Sequence, residues 1–197
     1  MIPAALLACA LNVHPVTLEA IVRVESGGNP LALNVNKLTG LQPRAASVAD
    51  AVREAERYIA RGHSVDLGLA QINSRNLPRL GLTIEQVLDP CTNIAAGGRI
   101  LTANYADAAR RWGEGQAALR AALSAYNTGS FSAGFRNGYV AKYYRPGGVP
   151  ALAREIRQAA AGSATPGRRA AAPAPLNPYT ADIAIDFGET SSVQFVQ

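Results

Sequence analysis

The chain has 197 residues, 48% of them hydrophobic, with mean hydropathy +0.02, formal net charge +5 and a pI near 9.6. That is enough apolar material for one cored domain with a trailing segment, but no run of about 18 apolar residues exists to span a membrane. Lys and Arg are scattered, with only short pairs such as Arg110-Arg111 and Arg168-Arg169. Without zinc-finger spacing or a basic recognition helix, no nucleic-acid partner is expected, and the positive charge either aids solubility or suits an anionic polymer.

Met1 to Leu11 is apolar, lacks Lys and Arg, and is too short for a signal peptide. Residues 4–11 are therefore read as a first helix, and export is expected to need a leader not contained in this chain or another route. His14-Pro15 opens a second helix with Pro in its first turn, stopped after Ser26 by Gly27-Gly28-Asn29-Pro30. Leu31 to Val35 reads as extended. Ser47 caps a helix to about Ala60, with Val48, Val52, Ala55 and Ile59 on one face. Residues 64–73 are irregular or strand-like, and Thr83-Ile84-Glu85-Gln86 has the form of a capping box. Asp89-Pro90 starts the longest helix, to about Trp112, where Gly97 and Gly98 would admit a close neighbour. Gln116 to Tyr126 is another helix, ended near Gly129, and Asn137 to Tyr144 and Pro150 to Ala160 are two more.

These elements predict a mainly α domain of the α+β kind with a minimal β element, over residues 1–160. An Ala/Pro-rich linker follows at 161–180. The tail at 181–197 alternates weakly through Ile183, Ile185 and Phe187, as a strand or as disordered chain. Cys9 and Cys91 permit one disulfide in an exported protein, tying the first helix to the start of the longest one; the alternative is two buried thiols. His14 and His63 are isolated, so neither a metal site nor a cofactor is expected.

Glu25 is the most informative residue. Leu18, Ile21 and Val22 form an i, i+3, i+4 stripe, and Glu25 falls at i+7 on the same stripe. It also sits in the last helical turn, where the negative end of the helix dipole opposes a carboxylate. Desolvation and that dipole both raise a carboxyl pKa, and an acid still protonated near neutrality is what protonation of a glycosidic oxygen requires. Periodicity alone leaves open a helix-end glutamate turned into water.

The flanking sequence adds a resemblance. Val24-Glu25-Ser26-Gly27-Gly28-Asn29-Pro30 resembles the E-S-x-x-x-P signature of lysozyme-like lytic transglycosylases. Gly68-Leu69-Ala70-Gln71-Ile72-Asn73 resembles their G-L-M-Q-I-N motif, Ala125-Tyr126-Asn127-Thr128-Gly129 their A-Y-N-x-G motif, and Tyr139-Val140 their final Y-V element. Any one of these would be weak; four in order over about 120 residues are specific. Val13-His14-Pro15, Val65-Asp66-Leu67-Gly68 and Asp89-Pro90-Cys91-Thr92-Asn93 look like the subgroup that accompanies type IV secretion and conjugation systems. One departure is Ala70 in place of Met, expected to trim a contact in the cleft wall.

The resemblance implies a two-lobed lysozyme-like fold with a substrate cleft. It implies cleavage of the β-1,4 bond between N-acetylmuramic acid and N-acetylglucosamine in peptidoglycan, leaving a 1,6-anhydromuramoyl end. Glu25 would be the catalytic acid and then base. Gln71, Asn73, Tyr126 and Asn127 would position the glycan, Tyr139 would orient Glu25 or the substrate, and Ser26 would contact the leaving sugar. Peptidoglycan strands and type IV secretion components would be the partners, the location periplasmic, and the chain a monomer.

Asp66 complicates this, because Asp66 to Arg75 also resembles a segment of animal c-type lysozymes in which the aspartate is the second catalytic carboxylate. If Asp66 faces Glu25 and a water is placed, hydrolysis competes with the transglycosylase reaction. A third reading, from another class, is a wall-binding or secretion-scaffold module without turnover.

Overall fold

The computed structural model describes residues 2–144. The expected helix at Pro150 to Ala160, the linker at 161–180 and the tail at 181–197 lie outside the described residues. Helix α1 (Ala4–Leu7) runs into a 3-10 turn (Ala8–Ala10), and α2 (Pro15–Ser26) follows. His14 caps α2 by accepting from the Val16 N–H at 3.3 Å, and Gly27, at φ +63°, ends it in the left-handed conformation that glycine reaches without steric cost.

Three short strands, β1 (Leu33–Val35), β2 (Val65–Leu67) and β3 (Ile72–Asn73), make one antiparallel sheet in the order β1-β2-β3. Asn34 lies opposite Asp66, and Asp66 opposite Asn73, so three polar side chains form one row across the sheet. Helix α3 (Val48–Ile59) lies between β1 and β2 in sequence, capped by Ser47 through the Asp50 N–H at 3.1 Å. Its buried face is Ala51 and Ala55 with Val52 and Ile59 alongside; Val48, expected on that face, is exposed in the first turn.

A 3-10 turn (Ser74–Asn76), α4 (Leu77–Leu80) and α5 (Ile84–Val87) lead to α6 (Pro90–Trp112), the central helix. The capping box at Thr83 and Gln86 is formed in both directions, and Asp89 caps α6 through the Thr92 N–H at 2.8 Å. Helix α7 (Gln116–Thr128) packs along α6 and ends at Gly129, φ +68°.

The two α6 glycines serve close approach. A Cβ on Gly97 would lie 2.8 Å from the Ala70 Cβ, and one on Gly98 would lie 2.9 Å from the Ala10 Cβ. Ala70 is therefore not a trimmed cleft-wall contact: it is fully buried against α6, where its small methyl and the bare Gly97 let the turn and helix meet.

The expected helix from Asn137 to Tyr144 is corrected to a shorter one, α9 (Ala141–Tyr144), preceded by a separate α8 (Ala133–Arg136). The break has a local cause. Asn137 Oδ1 accepts from the Tyr139 N–H at 2.9 Å, and Gly138 takes φ +78°, so the backbone turns where a helix would continue. The Cys9–Cys91 disulfide is present and ties the turn after α1 to the first turn of α6. No helix among the described residues is long and apolar enough to cross a membrane, and no group of three metal-ligating side chains occurs among them.

Candidate active site

Helix α2 brings Glu25 to the site. Leu18, Ile21 and Val22 are each 1% exposed and fix that face of the helix against the core. Glu25 continues the stripe to the edge of the core and lines a cleft of about 590 Å³. Across it lie Asn34 from β1, Asn36 just after it, Asp66 from β2, and Gln71. The walls are completed by Tyr126 and Asn127 from α7, Asn137 and Tyr139 from the turn between α8 and α9, and Lys142 from α9.

Burial pushes the Glu25 carboxyl up from its ordinary 4.5 to about 7, and the negative charge of Asp66 adds to the rise. A hydrogen bond from Tyr139 and the charge of Lys142 pull the other way. The Tyr139 hydroxyl donates to Glu25 Oε1, and the hydroxyl of fully buried Tyr143 lies 2.6 Å from that of Tyr139. Burial holds both phenols well above their usual range. They remain protonated donors, and Tyr143, Tyr139 and Glu25 form a chain that orients the acid from one side.

Asp66 is 8% exposed and enclosed by amides. Asn34 and Asn36 each donate to Oδ2 at 3.0 Å, and Asn73 donates to Oδ1 at 2.6 Å. Burial raises the Asp66 pKa, and these three amides offset the rise only in part. The three partners of Asp66 are all N–H donors, an arrangement that suits the anion. Two carboxyls thus share one cleft in unlike surroundings, one sheltered and one hydrogen-bonded, which separates an acid from an anion.

The turn from Leu67 to Gln71 presents the third group. Gln71 adopts φ +50°, a left-handed conformation unusual for a residue with a Cβ, with a strain cost of roughly 1–3 kcal/mol. Its Nε2 donates to the carbonyls of Gly68 at 2.8 Å and Ala32 at 3.3 Å, which leaves Oε1 for the cleft. Asn93 of α6 clamps the same turn. Its Oδ1 accepts from the Ala70 N–H at 2.7 Å, while Nδ2 donates to the carbonyls of Leu67 at 2.8 Å and Val87 at 2.7 Å. The Tyr126 hydroxyl donates to the Ala70 carbonyl at 2.7 Å, so α6 and α7 both hold the turn.

Of the residues singled out in the sequence, Glu25, Asp66, Gln71, Tyr126, Asn127 and Tyr139 converge on the cleft. Asn73 is 1% exposed and sits behind Asp66, also capping the next turn through the Arg75 N–H. Ser26 closes the end of α2, donating to the Val22 carbonyl and accepting from the Gly28 N–H, and does not line this cleft. Asn34, Asn36, Asn137 and Lys142 line it without having been singled out. Asn34 and Asn36 show one weak signal: they alternate at i, i+2 on a short extended run facing the same side as Asp66.

A small antiparallel sheet facing a helical body, with a sheltered glutamate at the helix end between them, is a lysozyme-like architecture. The chain belongs to the transglycosylase SLT domain family, which it matches over residues 4–144. It is 45% identical over 134 residues to Protein virB1 of Agrobacterium fabrum, covering 68% of this chain and 54% of that protein. It is 39% identical over 182 residues to Type IV secretion system protein virB1 of Brucella suis biovar 1, covering 84% of this chain and 76% of the relative. The counterpart from Brucella abortus biovar 1 is 43% identical over 140 residues, 69% of this chain and 58% of that protein. The chain thus spans a little over half the length of two of these three relatives. No solved structure gives a significant match.

Proposed function

We propose that the chain is a lytic transglycosylase that opens peptidoglycan locally for a type IV secretion or conjugation apparatus, acting outside the cytoplasmic membrane, in the periplasm. The observation that carries the chemistry is a glutamic acid holding its proton to about pH 7 in a cleft whose other carboxylate is caged as an anion. Family membership supports the reaction type, and the relatives named as type IV secretion proteins support the setting.

Protonated Glu25 gives its proton to the glycosidic oxygen as the C1–O bond breaks, and the N-acetylglucosamine leaves as an alcohol. Positive charge develops on the muramoyl ring, where the substrate's own N-acetyl group and the Asp66 anion oppose it. Glu25, now a carboxylate, takes the proton of the muramoyl 6-hydroxyl as O6 bonds to C1. The anhydro ring closes, the acid is regenerated, and no water enters the balance. Gln71 and Asn127 offer amide groups to the N-acetyl sugars, Tyr126 supplies wall and support for the turn, and Tyr139 aims the acid. Asn73 serves the reaction by fixing Asp66.

A second reading is hydrolysis with Asp66 as the other catalytic carboxyl, favoured by its place in the same cleft. Both Asp66 oxygens already accept hydrogen bonds, which favours a role through charge over bond formation to the sugar. Digestion of purified sacculi with the wild type and Glu25→Gln, followed by weighing the muropeptides, separates the readings. The expected products are lighter by one water than hydrolysis products, with a loss on the order of 10²–10⁴-fold in the variant. Products heavier by that water assign the hydrolase. Undiminished lysis by Glu25→Gln removes Glu25 as the catalytic acid, and no lysis by the wild type assigns the scaffold reading.

A further inference from the structure

Lys142 is a charge the proposed reaction does not use. Every other group lining the cleft is an acid, a neutral amide, a hydroxyl or apolar, and Lys142 is the one cation among them. Neutral amides and hydroxyls suit hydroxyl and acetamido groups, but a lysine has no charge to meet on N-acetylglucosamine. Lys142 acts on Glu25 at a distance, lowering that acid's pKa, but it is in no ion pair: those of the described residues lie on α3 and α6. Its ammonium stands 5.5 Å from the centre of the Tyr139 ring, the same tyrosine that grips Glu25. That contact sets the charge on the acid's side of the cleft, on an otherwise exposed side chain.

We infer that Lys142 is the receptor for a carboxylate on the O-lactyl arm of the muramoyl residue, and that it distinguishes muramoyl from N-acetylglucosamine beside the acid. This rests on the glycan-cleaving reading above. The arm offers such a group in two forms: the free lactyl acid of a strand stripped of peptides, or a carboxylate of the stem peptide attached there. A compact ammonium on a flexible stem can follow either, where a rigid fork would demand one geometry.

The test compares wild type, Lys142→Gln and Lys142→Arg on peptide-bearing glycan strands, amidase-denuded strands and strands whose carboxylates have been converted to amides. Binding of a neutral chito-oligosaccharide is measured alongside. Assayed well below pH 7, where Glu25 is protonated with or without the Lys142 charge, Lys142→Gln should raise KM on the carboxylate-bearing strands about five- to tenfold with kcat little changed, and Lys142→Arg should restore most of it. On amidated strands, and in binding the neutral oligosaccharide, wild type and Lys142→Gln should agree. The charged strand that shows the larger loss identifies which carboxylate is held. An unchanged KM on both charged strands, or an equal loss on neutral ligand, overturns the inference while wild-type cleavage leaves the glycan reading standing. A wild type that neither cleaves strands nor binds the oligosaccharide overturns both.

Discussion

A free glutamate loses its proton near pH 4.5, whereas Glu25 holds its own to about 7. The native state therefore binds this proton more tightly than the unfolded chain does, and the sign of the linkage follows. The stabilisation is fully present below pH 4.5 and is lost as pH rises through 7, by at most about 3 kcal/mol. Glu25→Gln keeps the shape and removes the ionisation. Urea unfolding of the two proteins should agree near pH 4 and diverge at pH 8, where the variant is the more stable. Equal stability at pH 8 would mean that the carboxyl is not sheltered. For the same reason kcat/KM of the wild type should fall as pH rises through about 7, because the acid form does the work. Periodicity placed this residue beside a buried stripe but could not supply its partners. Tyr139 is 114 residues away, and the asparagines around Asp66 come from, or just after, two strands too short to leave a pattern. Motif resemblance supplied Gln71, Tyr126 and Tyr139; it was silent on Lys142, which one turn of a four-residue helix aims into the cleft.

At the level of elements, the turn from Leu67 to Gln71 depends on a side chain from another helix. Asn93 uses both amide hydrogens and its oxygen on three backbone groups, two of them in that turn. Gly68, at φ +74°, has no room for a Cβ, which would lie 2.4 Å from the Asn93 amide nitrogen. Asn93→Ala leaves buried carbonyls and an N–H unpaired and should cost about 3 kcal/mol or more. It should also lower kcat/KM while the alkaline limb of the pH profile stays near 7, since Glu25 and its tyrosines are untouched. A limb displaced together with the rate would instead place Asn93 in contact with the acid's environment. Helix starts were legible from sequence because caps are local: Ser47, Thr83 and Asp89 each bond a backbone N–H three residues on. The break at Asn137-Gly138 was not, since an asparagine and a glycine in a short segment fit a helix end and a mid-segment turn equally well. The sheet was legible only as an extended stretch at Leu31 to Val35 and irregular or strand-like chain at 64–73, because strands of two and three residues fall below the length at which alternation can be counted.

Across the whole molecule, the bridge between Cys9 and Cys91 closes a segment of 82 residues that includes α2, the sheet and the turn bearing Gln71. Cross-links over loops of this length are worth about 2–4 kcal/mol. Unfolding with and without reductant, or in Cys9→Ser/Cys91→Ser, should show a loss of that size, with lysis at 25 °C retained because neither cysteine lines the cleft. A loss of activity without a loss of stability would show the reverse coupling. The same bond gives the chain a sense of compartment. In a thiol-rich cytosol it stays open, and the molecule is easier for proteases to unfold and clear. In an oxidising space the identical sequence closes the bond and takes its sturdier form.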